Sequence, residues 1–405
     1  MTVFPETLPI PAEVLRIAGT LEEAGFETWC VGGAVRDNLL GFENSDYDLA
    51  TSATPDQVRG LFRHTVPIGV THGTVAVLDR NRRLHEITTF RKDVKTDGRH
   101  AVVEFGVSLE DDLARRDFTI NAIAYHPSRN EWRDLFGGEA DLVAKVIRAV
   151  GDPARRFRED YLRILRALRF AARFGFEIEQ ETWEAAVANA HGLEYLSAER
   201  VRDEWMRGLK SAEKPSRLVE LWEAVGAGEI WLGEVVSRES GVRRWSLDAV
   251  DRFGERDPVL ITSYLSGDPC RTLKRLRCSS AEIERGRRIG ESRGQEPQAT
   301  DVVEVRRWMS RVGPAADDLL KIVSAEQRGG SLTMAVADVR ASEAPLTVSD
   351  LAVDGNDLLG VGMEAGPDLG RLLGLLLDQV IVDPELNTRE QLLNRVKHEI
   401  GDVRS

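Results

Sequence analysis

Two adjacent glycines after a short apolar run place the tightest limit on this chain. Residues 26–31 are crowded with aromatic and β-branched side chains and read as a strand. The run passes directly into Gly32-Gly33-Ala34-Val35-Arg36-Asp37. A glycine pair at a strand end lets backbone N–H groups approach a polyphosphate, and a helix that follows adds its positive end. A few residues later comes Asp46-Tyr47-Asp48-Leu49-Ala50-Thr51. Alternate residues of a strand point the same way. An extended 46–49 segment therefore puts Asp46 and Asp48 on one face, with Tyr47 and Leu49 on the other. Two carboxylates held that close repel each other unless a cation lies between them, and hard oxygen ligands suit Mg²⁺.

A lone glycine pair is usually a turn, and a lone D-x-D is usually a solvated strand edge. Here the order and spacing of the two, with Arg36-Asp37 between them, resemble the nucleotidyltransferase superfamily. The longer string from Gly32 through Asn44-Ser45-Asp46 to Val58 is similar to a narrower group, the class II tRNA nucleotidyltransferases and bacterial poly(A) polymerases. The resemblance implies a nucleotidyltransferase head built on a mixed sheet with helices, followed by an all-helical neck, body and tail, an α+β arrangement. Boundaries are expected at 1–147 for the head, 148–205 for the neck and 206–405 for the body and tail. It further implies that Gly32, Gly33, Arg36 and Arg116 bind the nucleotide. Asp46, Asp48 and Glu86 would hold two Mg²⁺ ions. The partners implied are ATP, CTP and the tRNA acceptor arm.

At 405 residues the chain is too long for one ordinary core and should divide into two to four domains. No apolar run is long enough to cross a bilayer, and residues 1–11 lack the features of a signal peptide. Cys30, Cys270 and Cys278 show neither metal-ligand spacing nor an even disulfide set, which fits a reducing cytoplasm. The net charge of −13 argues at first against a nucleic-acid partner, yet residues 141–174 carry nine Lys or Arg against four Asp or Glu. An acidic protein with such segregated charge can still bind RNA through one basic cleft.

Apolar residues at helical spacing predict a helix over residues 11–25. A second is predicted over 55–62, with Thr54 as N-cap and Pro55 at the first position. Strands are expected at 66–70, 73–78 and 84–90. Glu86 lies within the last of these, where a charged residue ordinarily faces solvent; the resemblance makes it the third carboxylate. Residues 92–103 are polar and without period and read as a loop. Arg115-Arg116-Asp117-Phe118-Thr119-Ile120-Asn121-Ala122 resembles the second signature of the family head.

After Gly151-Asp152-Pro153, residues 155–170 read as one helix with Phe157, Tyr161, Ile164, Leu165, Leu168 and Ala172 on its core face. Asp160, Arg163, Arg166 and Arg169 step by three and wind obliquely over the remaining surface, an arrangement suited to an elongated anion. Ion pairs on a solvated face are the plainer explanation, worth only about 0.2–0.5 kcal/mol each. Glu159, Asp160 and Arg163 resemble the family's nucleotide-recognition motif, and chemistry accounts for its choice. Cytosine and adenine both offer an amino donor beside a ring-nitrogen acceptor. A carboxylate accepts from the first and a guanidinium donates to the second. Guanine and uracil reverse the pattern. Arg166 and Arg169 would lie farther along, over the triphosphate.

Residues 199–205 resemble a further family helix but equally suit a charged surface helix. Residues 292–300 read as a linker. The string around Asp357, Gly366-Pro367-Asp368, an apolar helix at 372–382 and Asn387 looks like the family tail. No histidine precedes an aspartate, so a His-Asp phosphohydrolase activity is not expected. The expectation is template-independent addition of CCA to tRNA. Addition of the final A alone, poly(A) synthesis and a catalytically silent RNA-binding protein are the alternatives.

Overall fold

The computed structural model describes residues 4–42, 46–69, 73–96, 101–233, 246–297 and 301–403. Residues 43–45 of the D-x-D string, Val70 of an expected strand, 97–100 of the expected loop and 298–300 of the expected linker lie outside them. The chain forms two compact units. One is Met1–Ser237 with Arg275–Arg277, and the other is Arg238–Lys274 with Cys278–Ser405.

The first unit is built on a mixed sheet. Helix α1 (Ala12–Glu23) buries Val14, Ile17, Ala18 and Leu21 and packs on β1 (Thr28–Val31), all four of whose residues are buried. Helix α2 (Gly33–Leu39) follows at once. Strand β2 (Asp48–Thr51) pairs antiparallel with β1, setting Leu49 across from Cys30. Helix α3 (Pro55–Leu61) starts as predicted, with Thr54 and Gln57 forming a reciprocal capping box. Then come β3 (Thr65–Gly69), β4 (Thr74–Leu78) and β5 (Leu84–Thr89). Strand β5 lies parallel to β2, with Ile87 beside Leu49. With β8 (Ile123–His126) and β9 (Glu131–Asp134) the order is β3-β4-β5-β2-β1-β8-β9.

The expected loop at 92–103 is instead a two-stranded antiparallel ribbon, β6 (Arg91–Thr96) and β7 (Ala101–Phe105), with a register shift between Asp93 and Lys95. Its sequence shows no alternation because ladder hydrogen bonds hold such a ribbon without demanding one buried face. Helix α4 (Leu109–Ala114) is capped by Ser108. Asp117 is followed by a single 3₁₀ turn, Thr119–Asn121, before β8. Helix α5 (Gly138–Ala144) closes the head, with Asp134 accepting from the N–H groups of Gly138 and Glu139.

The helix expected over 155–170 is two helices. α6 (Pro153–Glu159) ends at Asp160, which is extended (φ −157°, ψ 106°), and α7 (Leu162–Phe174) begins after Tyr161. The cause is local competition for the backbone: Asp160 Oδ1 accepts the Leu162 N–H at 3.1 Å, while Oδ2 is held by Arg200 at 2.7 Å. Most of the predicted core face survives the break: Phe157, Ile164, Leu165, Leu168 and Ala172 are buried, while Tyr161, at the break itself, is half-buried. Helix α8 (Gln180–Ala188), helix α9 (Ala198–Ser211) and helix α10 (Pro215–Val225) complete the layer. Trp205 and Trp222, their rings 4.7 Å apart, join α9 to α10, and both helices pack on α7. The division expected at 205–206 falls inside α9.

The second unit is built from helices and turns, with no strand among its described residues. Leu358, Leu376, Val380, Leu392 and Val396 share one core there. Asn387 ties that core's edge together, accepting from Ala352 N–H and donating to the Asp350 carbonyl.

Gly138 is tightly hemmed. A Cβ there would lie 2.4 Å from the Thr119 carbonyl oxygen and 2.7 Å from Ile123 Cγ1. Gly138→Ala should cost about 1–3 kcal/mol by overpacking, read as a lowered urea midpoint at unchanged slope. An unshifted midpoint would show that the turn yields freely.

Candidate active site

A cleft of about 530 Å³ opens in the first unit, lined from the end of β1 and α2 on one side, β2 and β5 on another, and α7 with α9 on a third. Gly32 caps α2 with φ +77°, a conformation that favours glycine. A Cβ on Gly32 would come 3.1 Å from Arg116 Nη1 and 3.7 Å from Asp48 Oδ2. The bare backbone is thus what lets an arginine and a carboxylate meet over the glycine pair. Arg116 donates from Nη2 to Asp112 Oδ2 at 3.1 Å and from Nη1 to the Asn121 carbonyl at 3.4 Å. Its buried Nε has no hydrogen-bond partner among the described residues.

The strand logic of the D-x-D holds. Tyr47 and Leu49 are fully buried while Asp46 and Asp48 are exposed. Glu86 alternates outward from β5 in the same way, and the parallel pairing of β5 with β2 brings it beside Asp48 in the cleft wall. Although Asp48 opens to the cleft, the surrounding protein crowds it. Lost hydration foremost, then the charges of Glu86 and Asp46, push its carboxyl up to about 6, with Arg116 pulling the other way.

Among the described residues no three His, Cys, Asp or Glu side chains already enclose an ion. The donor set nonetheless fits Mg²⁺. This ion needs only one or two carboxylates from protein and completes its octahedron with water and substrate phosphate.

The arginines divide into those that face the cleft and those that brace it. Arg36 is buried and donates to both Asp37 Oδ1 and Asn121 Oδ1. Its guanidinium lies 4.7 Å from the Phe170 ring centre and 4.9 Å from that of Phe174. Burial holds its pKa below the usual arginine value. Arg166 is bound to Asp117 at 2.6–2.7 Å. Arg169 is bound to buried Glu204.

Asp160 and Arg163 both border the cleft, where each has partners of its own. Asp160 takes Arg200. Arg163 donates to Glu159 Oε2 at 2.7 Å and to the carbonyls of Arg156 and Arg115 at 2.9 and 3.1 Å. The oblique strip therefore exists along the wall, but Arg166 and Arg169 are anchored inward to carboxylates of other elements.

Besides Arg173, sequence reasoning missed Asp117, Asn121 and Arg200 in this wall and Glu204 behind it, bound to Arg169. The signal was present in two strings already singled out, 115–122 and 199–205, whose charges turn inward. Asp117 accepts from Phe118 N–H, Asn121 Nδ2 and Arg166, and the Arg166 charge heads the effects that hold its carboxyl far below the ordinary range against its burial.

A sequence family described as "Poly A polymerase head domain" matches residues 28–148, and one described as "Probable RNA and SrmB- binding site of polymerase A" matches 175–232. A CCA-adding enzyme of Latilactobacillus sakei is 34% identical over 397 residues, covering 95% of this chain and 98% of the relative. The Bacillus stearothermophilus CCA-adding enzyme, solved in complex with CTP, superposes with a TM-score of 0.79 at 29% identity. That match covers 96% of this chain and 98% of the other. A Thermotoga maritima CCA-adding enzyme solved with tRNA shares the fold at 20% identity. Its TM-score is 0.67, with 96% of each chain covered. A glycine pair opposed to Asp48, an arginine-lined wall and identity sustained over the whole length agree: the chain belongs to the CCA-adding enzymes, a family of nucleotidyltransferases.

Proposed function

We propose that this chain transfers CMP, CMP and AMP in turn from CTP and ATP to the 3′ end of tRNA, all within the one cleft. The observation that carries this is the convergence there of Asp48 and Glu86, the glycine pair with Arg116, and Asp160 with Arg163. The CTP complex of the Bacillus relative supports the nucleotide assignment, and the tRNA complex of the Thermotoga relative supports the acceptor.

In each cycle the tRNA 3′-oxygen bonds to the nucleotide α-phosphorus, the bond to the β-phosphate oxygen breaks, and pyrophosphate leaves. Asp46, Asp48 and Glu86 would hold Mg²⁺, in our reading two ions. Bound metal supplies positive charge that acidifies the attacking hydroxyl and offsets charge on the leaving group. Gly32 and Gly33 present backbone without side chains to the triphosphate, and Arg116 adds charge beside them. Arg36 braces the wall through Asp37 and Asn121, so its part in nucleotide binding is indirect. Asp160 accepts from the amino group of cytosine or adenine, and Arg163 donates to the neighbouring ring nitrogen. A carboxylate accepts at about four lone-pair positions, so bonds from Arg200 and Leu162 N–H leave Asp160 able to accept again. Helices beyond the neck grip the acceptor arm through its phosphates and shape.

The reading is tested with labelled CTP and ATP on three transcripts, ending before CCA, after the first C, and after CC. Completion of all three supports it. Acceptance of A by the CC transcript alone would make this an A-adding enzyme. Asp48→Ala should cut incorporation by on the order of a thousandfold, several kcal/mol of metal stabilisation, with tRNA binding kept. Joint loss of folding and binding would make Asp48 structural. Asp160→Ala with Arg163→Ala should raise UTP and GTP use relative to CTP and ATP by roughly 5- to 150-fold, the worth of an unpaired polar group. Unchanged discrimination would remove the base-reading role.

A further inference from the structure

Arg156, on α6, faces neither open solvent nor the cleft lining. Its side chain is 13% exposed and its planar fork is spread over three segments, the end of α4, Val150 before α6, and the end of α6 itself. Nη2 donates to the Ala114 carbonyl at 2.7 Å, and Nη1 to the Arg115 carbonyl at 3.4 Å. Nε donates to the Val150 carbonyl at 3.2 Å, and Nη1 also donates to Glu159 Oε2 at 2.7 Å.

The carbonyls of Ala114 and Arg115 stand at the end of α4, where helix geometry leaves C=O groups without partners. Arg163 reaches the same Arg115 carbonyl and the same Glu159 oxygen. Two guanidinium groups thus share one carboxylate and clasp one helix end.

The clasped ends of α4 and α6 each lead straight into a residue of the cleft. Directly after Arg115 comes Arg116, which lies against Gly32 and Asp48. Directly after Glu159 comes Asp160, the extended residue that interrupts the neck helices. We propose that Arg156 is a positioning residue that locks the turn carrying Asp160 and Arg163 to the segment carrying Arg116. Nucleotide choice and triphosphate binding are then coupled through this side chain. This rests on the proposed roles of Asp160, Arg163 and Arg116. A lysine at 156 would keep the charge but not the planar fork that serves several acceptors at once.

The test uses the full chain with CTP on a transcript lacking CCA and ATP on one ending in CC. Steady-state KM and kcat are measured, together with the ratio of UTP to CTP incorporation. Asp160→Ala should raise the ratio without raising the KM for UTP, and Arg116→Ala should raise KM for UTP and CTP alike at an unchanged ratio. Arg156→Gln should raise both, each by about tenfold, the loss of a charge-assisted hydrogen bond, with Arg156→Lys between it and the native enzyme.

An Arg156→Gln enzyme that moves only one quantity, or lowers kcat alike for every nucleotide at unchanged KM and ratio, overturns the inference. If Arg156→Gln fails to unfold cooperatively, the same comparison is read from Arg156→Lys. A ratio unmoved by Asp160→Ala defeats the base-reading role and this inference with it. A ratio raised by Asp160→Ala but untouched at position 156 defeats the inference alone.

Discussion

The bond between Asp117 and Arg166 is what the first unit is arranged around. Asp117 belongs to the segment after α4, Arg166 to α7, and 49 residues of chain separate them. From this pair a continuous line of polar contacts runs across the head. Asp117 holds the Asn121 amide, whose oxygen takes Arg36; Arg36 pairs with Asp37, and Asp37 Oδ2 takes Arg173 at 2.9 Å, back on α7. Buried ion pairs often gain little net stability, because desolvation opposes the attraction. Their effect here is on register. An apolar helix face packs tolerably in more than one axial position. A helix whose Arg166 and Arg173 must both meet carboxylates of the head has only one.

This network changes the meaning of charge in the cleft. Nine arginines and five carboxylates line it, in a chain whose net charge is −13. The excess cation suits a polyphosphate. But Arg36, Arg166 and Arg169 are each committed to an internal carboxylate, so these guanidinium groups are fixed in place before any ligand arrives. Fixed charges need no reorganisation when a charged ligand arrives, which is the usual source of electrostatic advantage in transfer chemistry. Phe170 adds to the effect: the Arg36, Arg166 and Arg169 guanidinium groups all lie within 5.4 Å of its ring centre.

The parts of this arrangement that were legible in sequence are those governed by neighbours along the chain. Helix α1 follows from its 3.6-residue period, the α3 cap from Thr54-Pro55 with Gln57, and the outward turn of Asp46 and Asp48 from strand alternation. The parts that were not legible are set by distant partners. Nothing in residues 155–170 forbids a single helix; at the break Asp160 both accepts from Leu162 N–H and takes Arg200, forty residues on. Arg36 looks like a phosphate ligand beside its glycines until Asn121 and two phenylalanine rings enclose it. The ribbon of β6 and β7 pairs through its ladder and contacts α4, and its sequence shows no alternation to read. The inward charges of α9 look like a surface helix because Glu204 meets Arg169 only after α7 and α9 pack.

These long-range constraints bear on how one wall could serve two bases. On the proposed reading, Asp160 reaches the cleft already held by a backbone N–H and by Arg200, and Arg163 by a carboxylate and two carbonyls. A reader so anchored has little freedom to swing between a cytosine position and an adenine position. Cytosine and adenine present the same donor–acceptor order on the edge that would face it, differing in how far the glycosidic bond lies from that edge. The difference must then be absorbed away from Asp160 and Arg163, by the sugar, the triphosphate or the growing 3′ end. Held rigid, the pair rejects guanine and uracil by leaving mismatched polar groups unpaired, while the change from C to A falls to whatever sets the depth of the nucleotide against the glycine pair.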